Sequence, residues 1–158
     1  MILIAYDGSP DAREAIQRAG GLLGDRPATV LTVWELFQDV LARTGGGFPI
    51  GGVDYDELDR EYEEEARRRA NEGAELARDA GLNAQARTCV RDGSIANTIL
   101  AEADELGAEA IVLGTRGLTG LKSLLLGSVS HAVAQHADRP VIVVPSAELA
   151  AERAARRQ

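Results

Sequence analysis

Residues 111–145 read IVLGTRGLTGLKSLLLGSVSHAVAQHADRPVIVVP, and this stretch decides the fold. The apolar run from Ala110 to Leu113 has the length and β-branched content of a buried strand. A glycine-punctuated loop follows from Gly114 to Gly127, a helix opens at Ser128, and Val141 to Val144 forms a second buried strand. Strand, loop, helix and strand in that order make a βαβ unit. At its joint, Gly114 and Gly117 leave the strand with unrestricted φ and no Cβ to fend off a ligand, and Gly127 does the same before the helix. Ser128 stands where an N-cap belongs. The unpaired first-turn amides and the positive end of the helix dipole then favour a phosphate or another anion. The hydroxyls of Ser128 and Ser130 add neutral donors. A Walker A loop is excluded because its Gly-Lys-Ser/Thr ending is absent, and GxGxxG because the glycines lie too far apart.

The spacing here is glycine, two residues, glycine, nine residues, glycine, serine. It resembles the nucleotide-binding signature of the universal stress protein family, and Gly114, Gly117, Gly127 and Ser128 fall on it without insertion or deletion. The opening MILIAYDGSPDA resembles the family's first strand, acidic residue and first helix start. ATVLTVWE resembles its second strand, and RPVIVVP its closing strand. The resemblance covers residues 1–145 as a single domain and leaves 146–158 as a C-terminal tail, either a frayed helix or an arm reaching a partner.

Composition fits a soluble globular chain of one domain. The 158 residues include 45% hydrophobic and 27% charged, but only one Trp, three Tyr and two Phe, so the core must be aliphatic and alanine-rich. No run reaches the roughly 18 apolar residues of a membrane span, and the chain opens directly in a strand, which predicts a cytoplasmic protein. Cys89 is the single cysteine, so an internal disulfide and a cysteine metal cluster are excluded. A packed thiol is the expected role. The net charge of −8 argues against nucleic acid or an anionic membrane as partner. The acid-rich run from Asp54 to Glu65 reads as a solvated helix face.

Along the chain, Met1 to Tyr6 is too continuously apolar for a half-wet strand and reads as a central parallel one. Ser9 and Pro10 start a helix that runs to about Leu23 and stops at Gly24. Ala28 to Glu35 gives a second strand. Leu36 to Val53 is a long connection carrying Gly45, Gly46, Gly47, Gly51 and Gly52, read either as a lid or as a disordered segment. Asp54 to Ala80 is one long helix with acid-first pairs Glu63–Arg67, Glu64–Arg68 and Glu65–Arg69. Leu82 to Val90 alternates like an edge strand, and Ser94 starts a helix with the stripe Ile95, Ile99, Leu100, Ala103 and Leu106. The alternation of strands and helices means a parallel, doubly wound α/β sheet with helices on both faces. The resemblance implies five strands in the order 3-2-1-4-5, a Rossmann-like, adenine nucleotide alpha hydrolase-like fold.

Asp7, at the carboxyl end of the first strand, has two readings: a ligand to ribose or a metal-bound triphosphate, or a turn carboxylate capping nearby amides. The resemblance favours the first. It also implies that the Val33 backbone reads the adenine edge. Trp34 is open between stacking and packing. The candidate nucleotide contacts are Ala5, Tyr6, Asp7 and Val33, with Leu113, Gly114, Thr115, Arg116 and Gly117 after the fourth strand. Gly127, Ser128, Val129 and Ser130 complete the set at the last helix. Lys122 and Ser123 are further polar candidates; His131 and His136 lack a nucleophile or acid at usable spacing. Leu124, Leu125 and Leu126 read as a plug of the loop against the core.

The resemblance implies ATP with Mg2+ or Mn2+ held through the phosphates, and a homodimer through Val141 to Val144, an apolar strand that the family order places at an edge. Three functions compete: a nucleotide-binding sensor acting on an unknown client protein, a slow ATPase, and a member acting through protein contacts alone. The sensor is the favoured reading, because no general base or arginine finger is evident and the glycine-serine signature is intact. A flavin carrier lacks the aromatic pair that would sandwich its ring.

Overall fold

The computed structural model describes residues 1–45, 52, 54–117 and 126–157. Its elements are β1 (Ile2–Ala5), α1 (Pro10–Leu23), β2 (Pro27–Trp34), α2 (Phe37–Arg43), α3 (Tyr55–Asp79), β3 (Asn83–Val90), α4 (Ile95–Glu105), β4 (Ala110–Gly114), α5 (Ser128–His136), β5 (Val141–Val144) and α6 (Ala147–Ala155). The sheet is five-stranded and wholly parallel, in the order β3-β2-β1-β4-β5. β1 is central, as its unbroken apolar run requires, and β1 and β4 lie side by side where the strand order reverses.

Side chains alternate across β1. Ile2, Ile4 and Tyr6 point into one core with Ala15 and Ile16 of α1 and Ala74 and Ala77 of α3. Leu3 points into the other, with Leu31, Ile111, Ile99 of α4 and Val133 of α5. The scarcity of aromatics is matched by close helix approach. A Cβ on Gly20 would stand 2.2 Å from the Ala80 carbonyl oxygen, and one on Gly73 would stand 2.7 Å from the Tyr6 ring. Small residues at both places let α1 and α3 pack on each other and on the sheet.

Helix starts follow the sequence. The side chains of Ser9, Asp54, Ser94 and Ser146 accept first-turn amides of α1, α3, α4 and α6. Gly24, Gly81 and Gly107 follow α1, α3 and α4 with positive φ of 64°, 94° and 60°.

Several expectations are corrected. The segment after β2 is not plain loop, because α2 forms there. Phe37 N–H donates to Asp59 of α3 at 2.7 Å, and the Phe37 ring lies 5.9 Å and 6.2 Å from those of Tyr55 and Tyr62. The glycines at 46, 47 and 51 lie outside the described residues. Arg68 bonds to Glu65 rather than Glu64, so Glu65 serves both Arg68 and Arg69. On α4 the fully buried positions are Ala96, Thr98, Ile99, Glu102 and Ala103, while Ile95, Leu100 and Leu106 are only half-buried at the core margin. β3 is an edge strand on which only Ala84 is fully buried, and its Arg87 folds back onto Glu102 and Glu105 of α4. Cys89 is half-buried, and burial, helped by Glu102, pushes its thiol up to about 11. The tail forms α6, none of whose residues is fully buried.

Candidate functional site

The carboxyl ends of β1 and β4 converge. Beyond β1, Tyr6 is pinned to β2: its N–H donates to Leu31 O at 2.8 Å and its carbonyl accepts from Thr32 Oγ1 at 2.9 Å. Its side chain is buried and its hydroxyl donates to Glu72 at 3.1 Å. Burial, and then that hydrogen bond, push the phenol up to about 12. Tyr6 therefore shapes the site through its main chain. The next residue, Asp7, turns the chain. Its Oδ1 accepts from Ser9 N at 2.9 Å across Gly8, which holds φ at +83° under the side chain of Arg69.

On β4, Leu113 is core. Gly114 packs against the start of α1, where a Cβ would stand 2.7 Å from the main-chain carbon of Asp11. Thr115 is buried and bonded to the neighbouring strand: its N–H and its hydroxyl donate to Val144 O at 2.8 Å and 3.1 Å. The Thr115 carbonyl accepts from Gly127 N at 2.7 Å and from Ser130 Oγ at 2.7 Å, which draws the start of α5 against the exit of β4. Gly117 is exposed, and a Cβ on it would stand 2.6 Å from Asp7 Oδ2.

Four sequence readings change. None of Gly114, Gly117 and Gly127 has a positive φ. Close approach favours glycine instead: at Gly114 a Cβ would run into the backbone of α1, at Gly117 into the Asp7 carboxylate, and at Gly127 it would stand a tight 3.2 Å from the Thr115 carbonyl oxygen. Ser128 is the first residue of α5 rather than its N-cap; the cap is Gly127, which has no side chain to accept the first-turn amides. Ser130 Oγ is committed to Thr115 O and to Gly127 O, at 3.1 Å, so this buried hydroxyl braces the loop instead of facing a ligand. Arg116, a candidate nucleotide contact, is turned to α1 in this structure, where it pairs with Asp11. Asp11 is a site residue that sequence reading missed, since its partner lies 105 positions away and its pattern is that of any first-turn acid.

Of the remaining candidates, Ala5 pairs with Leu31, so Val33 stands two residues beyond the end of β1 on the adjacent strand, its side chain packed on the α4 face. Val129 packs on the same face, and Ser128 is exposed. Leu126 is half-buried; Lys122, Ser123, Leu124 and Leu125 lie outside the described residues. His131 and His136 are exposed, and among the described residues no group of three or more His, Cys, Asp or Glu could hold a metal ion.

A family model described as the universal stress protein family matches residues 1–145. The chain belongs to the universal stress protein family. A curated relative, universal stress protein YxiE of Bacillus subtilis, is 33% identical over 149 residues, 90% of this chain and 97% of that one. Among solved structures, hypothetical protein MJ0577 superposes with a TM-score of 0.72 at 25% identity, covering 91% of this chain and 94% of its own. The universal stress protein from Archaeoglobus fulgidus in complex with dAMP is 25% identical with a TM-score of 0.56, over 90% of this chain and 95% of that chain. In this universal stress protein the signature glycines are thus assembled at the strand-order switch of the family fold, with Asp7 opposite Gly117 and α5 opening beside them.

Proposed function

We propose that this universal stress protein binds an adenine nucleotide, ATP with Mg2+ or Mn2+, in the crevice between the ends of β1 and β4, and acts as a homodimeric regulatory sensor. The observation that carries the reading is the packing of Asp7 against the bare Cα of Gly117 at the strand-order switch, beside the first turn of α5. Open parallel sheets bind ligands at that place. The first-turn amides of Ser128, Val129 and Ser130, which have no preceding helical carbonyl to meet, suit phosphate oxygens. Exposed Ser128 contributes a hydroxyl, Asp7 accepts from ribose, and Val33 reads the adenine through its main chain. Gly114, Thr115 and Arg116 set the loop, while Ala5, Tyr6 and Leu113 form its floor. The dAMP complex of the Archaeoglobus relative supports an adenine nucleotide as the ligand class.

The divalent ion would arrive on the phosphates, since the described residues offer no cage of their own. Among the described residues β5 pairs with β4 alone, and its outer edge offers a place for a second copy of the chain.

A thermal-shift series with ATP, ADP, AMP, cyclic AMP and FMN, with and without Mg2+, tests the reading. Ligand at 100-fold over its Kd adds about 2.7 kcal/mol. Adenine nucleotides should raise the Tm and FMN should not; melting indifferent to all of them refutes the proposal. Sedimentation of the purified chain tests the dimer, and phosphate release under turnover conditions tests the slow ATPase.

A further inference from the structure

Asp11 is the second residue of α1, a place where acids usually face water and complement the helix dipole. Here it is buried. Its Oδ2 accepts the Arg116 main-chain N–H at 3.1 Å, and Arg116 Nε lies 3.7 Å from the same oxygen. The two side chains keep only 8% and 16% of their exposure, so solvent screens the pair little. Ser9 Oγ adds a 3.4 Å bond to Arg116 O. Both main-chain polar groups of Arg116, and its guanidinium, are therefore tied to the first turn of α1. Among the described residues Asp11 is the sole counter-ion of Arg116.

Arg116 also adjoins Gly117, whose Cα faces Asp7, so an unrestrained guanidinium would lie within reach of a phosphate in the crevice. Such a group binds the most highly charged ligand best, because charge-assisted bonds strengthen with the anion's charge. Resting on the adenine-nucleotide reading above, we propose that Asp11 is a positioning residue that holds Arg116 away from bound phosphates. The ligand is then gripped by main-chain donors, and the site discriminates weakly among mono-, di- and triphosphates. Asp11 neutralises the single cation of the GTRG segment while fixing the path of the chain through it.

The test compares AMP and ATP affinities, with Mg2+, for the wild-type chain, Asp11→Asn, and Asp11→Asn combined with Arg116→Gln. Asparagine retains an acceptor for the Arg116 N–H but removes the counter-charge, leaving a largely buried guanidinium to seek another anion. Asp11→Asn should raise the preference for ATP over AMP roughly ten-fold, and the double variant should return it to the wild-type value. Mere loosening of the loop weakens both nucleotides alike and leaves the ratio unmoved. If Asp11→Asn folds poorly by its ligand-free Tm, Asp11→Ser, also an acceptor without charge, takes its place in the same comparison. A wild type that binds both nucleotides, with a ratio unchanged in the variant or a rise that survives in the double variant, overturns this inference alone. A wild type that binds neither overturns the adenine-nucleotide reading, and this inference falls with it.

Discussion

The carboxylate of Asp7 packs against the α-carbon of Gly117, so closely that a Cβ there would stand 2.6 Å from Asp7 Oδ2. Since Asp7 Oδ1 is held by Ser9 N at 2.9 Å, the carboxylate cannot swing aside without giving up the turn. One contact thus joins the first strand's acidic residue to the glycine signature more than a hundred residues later. One oxygen of Asp7 serves the turn and the other faces the loop.

Gly117→Val should therefore displace Asp7 and crowd the crevice while leaving the cores untouched. We expect the nucleotide-induced rise in Tm to vanish and the ligand-free Tm to fall by only about 2–4 °C, the cost of one turn hydrogen bond. Differential scanning fluorimetry with and without ATP reads both values. An undiminished ATP response would show that the phosphates do not pass this glycine.

Gly114→Ala should behave differently, although both glycines belong to one signature. Its Cβ would stand 2.7 Å from the Asp11 main-chain carbon and 2.8 Å from Ala12 N, and backbone cannot step aside as a side chain can. Overpacking of this kind costs about 1–3 kcal/mol. Urea unfolding of the ligand-free protein should show a lower midpoint with an unchanged slope.

Much of the fold was legible in the residues. The continuous apolar runs at Met1–Tyr6 and Ile111–Leu113 require strands covered on both faces, and Ser9–Pro10 and Gly24 bracket a helix by local chemistry alone. Val141–Val144 was read as an equally buried strand, but at the sheet edge only Val144 is fully buried and the other three are half-buried. The strand order came from the family resemblance, because pairing between distant segments leaves no local mark. α2 was missed: seven residues with no buried face carry little periodicity, and the helix is held by Phe37 against α3 instead. At the site the glycines were found for an incomplete reason. Their φ angles are ordinary, and the pressure towards a bare Cα comes from the close approach of atoms from Asp11, Asp7 and, less tightly, Thr115.

Ser130→Ala tests the brace between β4 and α5. It removes the bonds to Thr115 O and Gly127 O, yet Gly127 N still reaches the Thr115 carbonyl, so no acceptor there is stranded. The cost should be roughly 1 kcal/mol of stability by chemical denaturation, accompanied by weaker nucleotide binding. A neutral effect on both would remove Ser130 from the account.

Tyr6 gives a pH dependence with a definite sign. Burial and the bond to Glu72 raise its pKa from 10.0 to about 12 in the folded chain. Between those values the folded state retains a proton that the unfolded state has released, so stability is full below pH 10 and declines as pH rises through 12. Unfolding free energies measured across this alkaline range should fall for the wild type. Tyr6→Phe should flatten that part of the decline; an equal decline in the variant would assign it to other groups.

The most direct measurement is a crystal structure of the full chain grown with ATP and Mg2+. The account predicts phosphates lying between Gly117 and the first turn of α5, the ribose on Asp7, and the adenine at the end of β2 beside Val33. Nucleotide bound elsewhere, or a crevice closed by the chain's own side chains in the presence of excess ATP, would contradict it.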